Sequence, residues 1–480
     1  MRDKADSIKQ PENSYPSYNQ GLVLHSELMS RFRGRRRSQG RSMLARLRRV
    51  SMGAVVGIIL GLITSHAASQ EPSPSTTKDQ PPPTATPAPP APAPGLPIVS
   101  YPVQLLGLLA PPAQRGPLTL LPSIGVSEEY NDNVHSDNRN RESDFITNFS
   151  PAITLSVYRP SYQLNAGYSF SAALYAEGTQ ANQAFESQNF IGSGSFLVER
   201  GLTLSLSDAF AYNNTNTNLV SAQGFSTGQQ KSLSNTISPG MTWQMTQLNS
   251  LSISASYSAL RYLGSGTGAD SDTYGIQTGV SHTFTRRLSG NLGYAFTYLD
   301  LRDQQNSTSH TGTIGFGYQL TPTLSATING GAAVTVIGGD TSVSPAANAT
   351  LTQAFSFGSA GLQYTQGVGV GGGFGGTTNT QTVSAFLTIS TLLRGLSVVF
   401  GAQYSRSDSL SGQQQQARQV DVWATGLNLG ATYQIAPLLS VFGQYQFFLQ
   451  RTGGSSSTQV NVDQNRVLFG LRLGYPINFD

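Results

Sequence analysis

The sequence predicts an all-β chain closing as an antiparallel transmembrane β-barrel of about eighteen strands, with sixteen as the alternative count. Three observations predict it. From Leu118 onward, strand-length segments alternate apolar with small polar residues at period two. Short turns and longer polar loops alternate along the same region. The last fourteen residues read as one strand with an unbroken apolar face: Val467, Phe469, Leu471, Leu473, Tyr475, Ile477 and Phe479, against Leu468, Gly470, Arg472, Gly474, Pro476 and Asn478. A closing strand with one face in lipid and one in a wet interior has that pattern.

Before the barrel, the chain reads as three segments. Residues 1–42 are a disordered or over-called extension, because Met43 would itself open an ordinary signal peptide. Residues 43–68 are that signal peptide. Arg46, Arg48 and Arg49 precede the apolar run Val50–Ile63, and small residues follow to Ala67 and Ala68. The run is shorter than the roughly 20 apolar residues of a helical span. Residues 69–117 form a disordered periplasmic linker, because Glu71–Pro97 is dominated by Pro, Ala, Ser and Thr and favours extended polyproline II. The barrel occupies 118–480.

The charge follows this division. The whole chain has 29 Lys+Arg and 25 Asp+Glu, and residues 1–68 hold 12 and 4 of these; the remainder is 17 against 21, a net of −4. The basic balance therefore belongs to the leader and gives no support to a nucleic-acid partner. With no cysteine, disulfides, thiolate metal sites and cysteine nucleophiles are excluded.

Within the barrel, Tyr162, Leu164, Ala166, Tyr168, Phe170, Ala172 and Leu174 alternate with Gln163, Asn165, Gly167, Ser169 and Ser171. Segments around Leu288–Tyr298 and Leu324–Val334 repeat the pattern. Short turns are expected at Arg159-Pro160, Arg200-Gly201, Thr246–Asn249, Arg286-Arg287, Thr321-Pro322, Gly358–Ala360, Arg394-Gly395 and Ala436-Pro437. Longer loops are expected at 131–143, 177–187, 213–230, 264–271, 302–309, 338–342, 371–379, 406–419 and 452–464. Eight turns and nine loops make seventeen connections and hence eighteen strands, with both chain ends on the periplasmic side. The final strand is expected to pair with the segment Ile124–Tyr130.

The expected lumen face is Gly, Ser, Thr, Asn and Gln. A wall of this size leaves an aqueous channel, so a porin-like path for small neutral or saccharide solutes is the first expectation. A non-conducting barrel acting through its outer loops is the alternative. Arg159, Arg200, Arg286, Arg287 and Arg394 mark the short turns, and Asp132, Asp137, Glu142, Asp144, Asp270, Asp272, Asp300, Asp303, Asp340 and Asp408 mark the loop side. An acidic outer rim would favour cations or bridge lipopolysaccharide. Asp208 and Arg261 fall on the lipid face, where a midplane charge costs about 2–4 kcal/mol. They are expected near the outer interface or beside a bulge at Ser258–Leu260.

No cofactor, metal or catalytic site is expected. Asn131–Asp144 is rich in oxygen donors but lacks calcium-loop spacing. Gly367-Val-Gly369-Val-Gly371-Gly372 matches a phosphate-loop pattern with no helix to follow. His135, His282 and His310 sit in no nucleophile motif.

The segment Tyr130, Asp132, Asn133, Val134, followed by Asp144 and Phe145, resembles the start of the β-barrel porin 2 family of outer-membrane proteins. The resemblance implies a cell outer membrane location, an Asp-Asn pair opening the first outer loop, and an association with exopolysaccharide or protein-sorting systems. The partners expected are outer-membrane lipid, lipopolysaccharide, polysaccharide-export components and the barrel-assembly machinery. Tyr475, Ile477 and Phe479 resemble the C-terminal aromatic signal that this machinery reads, although Asp480 follows the last Phe.

Overall fold

The computed structural model describes residues 117–213, 225–226, 230–263, 268–302, 304–370, 376–390, 393–410, 420–453 and 460–479. The expected extension and signal peptide, all but residue 117 of the expected linker, Asp303 and the stretch 371–375 lie outside them.

The strands are β1 (Leu118–Asn131), β2 (Asp144–Tyr158), β3 (Tyr162–Tyr175), β4 (Gln183–Glu199), β5 (Leu202–Asn213), β6 (Lys231–Gln244), β7 (Asn249–Leu263), β8 (Ser271–Thr283) and β9 (Leu288–Leu301). They continue as β10 (Ser307–Thr321), β11 (Leu324–Ile337), β12 (Asp340–Phe355), β13 (Gly358–Val370), β14 (Thr377–Ile389), β15 (Leu396–Ser409), β16 (Asp421–Ala436), β17 (Leu439–Thr452), β18 (Val462–Gly474) and β19 (Ile477–Phe479). From β1 to β18 each pairs antiparallel with its sequence neighbour, and β1 closes the sheet by pairing with β18 and β19.

The predicted closing strand is thus divided in two. It starts earlier than expected, at Val462, and is interrupted at Tyr475-Pro476, where Pro122 opposite Tyr475 has no N–H to give the ladder. The register does not shift across the gap: Ser123 faces Gly474 and Leu118 faces Phe479. Tyr475 N still donates to Pro122 O at 3.0 Å. The wall is an eighteen-strand barrel whose last strand has one break.

Alternation sets the two surfaces. Leu292, Ile314, Ile328, Val343 and Phe469 are between 60% and 69% exposed on the outer face. Aromatic residues flank this belt. Near the outer ends, Tyr130 meets Phe145, Tyr257 meets Tyr274, and Tyr404 meets Trp423, with ring centroids 5.1, 5.1 and 6.4 Å apart. Near the short-turn ends, Tyr162, Phe196, Trp243, Tyr318, Tyr433 and Tyr475 are exposed. An apolar belt between aromatic girdles on a closed, even-numbered antiparallel wall is an outer-membrane architecture, and the protein resides in the outer membrane.

Several expectations are corrected. The connection after β11 is not a loop over 338–342. It is a two-residue turn, Gly338-Gly339, with φ of 59° and 101°, which only glycine adopts without strain at both positions. The turn expected at Gly358–Ala360 lies earlier, at Ser356-Phe357. Gly358 is instead inside β13, where a Cβ would fall 1.8 Å from Thr388 O. No bulge occurs at Ser258–Leu260, because β7 pairs in constant register with both β6 and β8. Arg261 does face outward near the top of β7, where it pairs with Asp272. Asp208 lies neither at the interface nor beside a bulge. It is the seventh of twelve residues in β5, facing outward opposite Ile237.

The seam between the first and last strands carries a dense set of side-chain bonds. Arg466 grips Glu129 with two bonds, Nε to Oε1 at 2.7 Å and a terminal nitrogen to Oε2 at 2.8 Å. Asn465 bonds both carboxylate oxygens of Asp132, at 2.7 Å from its backbone N–H and 2.8 Å from its side chain. Gln464 donates to Asn131 Oδ1 at 3.1 Å and Asn133 O at 2.7 Å. At the other end, Thr119 donates to Asn478 at 2.9 Å.

The Glu129 and Arg466 side chains are 5% and 22% exposed, so deleting either leaves a buried charge, at a cost of about 3–5 kcal/mol. Glu129→Ala or Arg466→Ala is therefore expected to lower the temperature at which the folded band disappears in heat-modified gel mobility. The double change Glu129→Leu with Arg466→Leu is expected to cost less than either single change. A double variant no more stable than the singles would contradict this reading of the seam.

Candidate functional site: the lumen and its inserted loop

The inward faces of the strands carry mostly hydroxyl and amide groups. Gln163, Asn165, Ser193, Ser205 and Ser207, in the short-turn half of β3–β5, face inward and are exposed. The lumen is therefore open to water along these three strands, whereas Thr119 and Ser440, inward at the short-turn ends of β1 and β17, are buried. Toward the outer ends the inward residues are buried instead, among them Thr335, Ser342, Ser344, Thr382, Ser405, Ser407 and Gln450.

The inward face is less uniformly polar than the sequence suggests. Near the outer ends Ile146, Leu260, Leu299, Leu301, Ala333, Val422, Ala424, Phe448 and Val462 turn inward and are buried. The shift from Tyr257 to Leu260 and Tyr262, which reads as a bulge, follows from this. The strand keeps its register while the apolar residues change face, because the upper lumen is filled and the lower lumen is wet.

A described part of that filling comes from the loop between β5 and β6. Phe225 is 2% exposed and packs against Val420, Val422, Ala424, Phe448 and Val462. Those residues belong to β16–β18 and the approach to β16. β17 lies six steps round the wall from β5, by way of β4, β3, β2, β1 and β18. That is one-third of the eighteen-strand circumference, so Phe225 and Ser226 stand inside the barrel, away from the strand that precedes them. Ser226 then joins Gln450 like a short ladder rung: its N–H donates to Gln450 Oε1, and Gln450 Nε2 donates to Ser226 O, each at 2.7 Å. Gln450 Nε2 also reaches Val460 O at 2.9 Å. Buried amides cost free energy unless paired, so Gln450 both needs and fixes the inserted segment.

The charged groups on inward strand faces, among the described side chains, are Glu129, Asp144, Arg466 and Arg472, with Asp340 exposed at the outer tip of β12. Glu129 and Arg466 neutralise each other. Asp144 accepts from Glu177 N at 2.8 Å and Thr179 Oγ1 at 2.6 Å, which ties down the loop after β3. Arg472 stands lower on β18, opposite Gly125, with its guanidinium carbon 5.9 Å from the centre of the Phe442 ring. At the outer rim, Asp132, Asp270, Asp272, Asp408 and Asp463 pair with Arg141, Arg302, Arg261, Arg406 and Arg451. An acidic ring selecting cations is not what these residues build.

The residues singled out by resemblance are brought to one place, the outer end of the seam. Tyr130 and Phe145 pair on the lipid side. Asp132 and Asn133 hold β18, and Asn133 Nδ2 reaches Asp463 O at 3.0 Å. Val134 is buried with Ile146, Ala173 and Tyr175. Tyr475, Ile477 and Phe479 face outward with Pro122, Leu120 and Leu118 at the short-turn end. The inserted Phe225, the Gln450 amide and the seam ion pair were not anticipated. Phe225 is a lone aromatic in a polar loop, and the change of apolar face near the strand ends is the sequence signal that the upper lumen is filled.

No family model matches the chain, and no curated protein of similar sequence was found. Solved structures of related shape include OccAB4 from Acinetobacter baumannii, with a TM-score of 0.40 and 11% identity over 76% of this chain and 100% of that one. OpdQ from Pseudomonas aeruginosa gives 0.40 and 11% over 75% and 99%. The alcaligin outer-membrane receptor FauA from Bordetella pertussis gives 0.30 and 13% over 74% and 76%.

Proposed function

We propose that the protein is a passive outer-membrane channel for small neutral, hydrogen-bonding solutes of the saccharide class. Its outer half is constricted by the loop between β5 and β6. The observation that carries this reading is the contrast within one lumen. Exposed Ser, Asn and Gln line the short-turn half along β3–β5, while Phe225 and Ser226 sit inside the outer half against β16–β18. Hydroxyls and amides replace the hydration of a sugar-like solute without demanding a charge. Among the described side chains on the inward strand faces, Glu129 and Arg466 pair with each other, Asp144 is held by the loop after β3, and Arg472 lies over the Phe442 ring.

The competing reading, a non-conducting barrel that acts through its loops, draws on the burial of the upper lumen face. Single-channel recording in planar bilayers separates the two. Well-folded protein is expected to give small, stable conductance steps, and the absence of any conductance would refute the channel.

Releasing the loop is expected to widen the path. Gln450→Ala removes two bonds to Ser226, worth about 1 kcal/mol each, so the population with the loop released should rise by about tenfold or more. Phe225→Ala should act in the same direction. The expected record shows larger steps and more frequent transitions. Unchanged conductance in both variants would show that this contact does not set the constriction.

A further inference from the structure

Asp208 and Asn235 form a polar pair on the lipid-facing wall at mid-height. Asp208 is central in β5, and its cross-strand partner Ile237 is central in β6. The register is continuous there, so both residues point outward with Leu206 and Ile237, which are 51% and 38% exposed. Asn235 Nδ2 donates to Asp208 Oδ1 at 2.8 Å. That contact leaves one carboxylate oxygen, one amide hydrogen and the amide oxygen facing outward. The other outward-facing charges among the described strand side chains lie near strand ends, where headgroups and water reach them: Glu128, Lys231, Arg261, Asp272, Asp300, Arg406, Asp408, Asp421, Arg451 and Asp463 toward the outer side and Glu199 beside a short turn. Asp208 has neither.

Hydrocarbon supplies no hydrogen-bond partner, so an ionisable residue at this depth marks a contact with something other than lipid. We infer that the outward face of β4–β6 is a self-association surface on which a second copy of this chain packs, with Asp208 of each copy bonded to Asn235 of the other. The pair is self-complementary: the free amide hydrogen of Asn235 matches the free oxygen of Asp208. A two-fold axis along the membrane normal, passing between β5 and β6, brings both matches together at once. The outward positions beside Asp208 on β4 are Gly192 and Gly194, which have no side chain to hold the walls apart. On the same face Tyr168 donates to Gln188 at 3.1 Å, extending the polar character of this sector toward the outer end.

The absence of native cysteine makes the test direct. Ile237→Cys is introduced into the full chain, assembled in outer membranes and oxidised with copper phenanthroline. Ile314→Cys, 60% exposed on the wall of β10, is the control. A disulfide-linked homodimer is expected for Ile237→Cys and not for Ile314→Cys. Adding Asp208→Leu or Asn235→Leu should lower the dimer fraction by about tenfold, the effect of losing interfacial hydrogen bonds in a membrane. Heat-modified gel mobility confirms that each variant is folded. Equal cross-linking at the two cysteine positions, or a dimer fraction unchanged by both leucine variants, would overturn the proposal. So would an adduct with a different protein.

Discussion

Everything in this molecule depends on joining its first strand to its last. A sheet in hydrocarbon cannot leave an open row of N–H and C=O groups, so the chain must return over more than three hundred residues and meet its own start in register. Leu118 facing Phe479 and Asn131 facing Arg466 show that it does so along the whole of β1. The join is weakened where Pro122 removes a ladder donor opposite Tyr475. It is reinforced at the outer end, where Glu129–Arg466 and Asp132–Asn465 lie within a few residues of each other. A bidentate arginine on a nearly buried carboxylate is also geometrically selective, because a one-residue slip would turn one partner to the opposite face.

Much of the wall was legible because its physical rules are local. Period-two alternation and the contrast between turns and loops need no knowledge of distant residues, and they place the strands, the lipid face and the closing pair. Errors arose where a glycine served a purpose other than a turn, as at Gly358, or made a tight turn where a loop was read, as at Gly338-Gly339. The apolar residues near the outer ends misled in a more instructive way. Leu260 and Tyr262 break the lipid-facing pattern, and a bulge was the economical explanation. The register is constant, and the medium on the two sides of the wall is what changes.

The contents of the lumen were not legible, because they depend on contacts between residues far apart in the chain. Nothing local to Phe225 names Val422 or Phe448 as its partners, and nothing local to Gln450 names Ser226. The same holds for Asp208: the sequence marks it as misplaced in lipid, and only the register shows Asn235 beside it at mid-wall. The residues of the resemblance, Tyr130–Phe145, meet at the outer end of the seam. Those residues anchor the first outer loop to the seam and leave the solute path to other residues.

The central claim is an asymmetric lumen, open on the short-turn side and narrowed at the outer end by the inserted segment. Partitioning of neutral polymers of graded size into single channels measures this directly, with polymer added to one side of the bilayer at a time. The account predicts that larger polymers enter and lower the conductance from the periplasmic side than from the outer side. Identical size limits from both sides would contradict it.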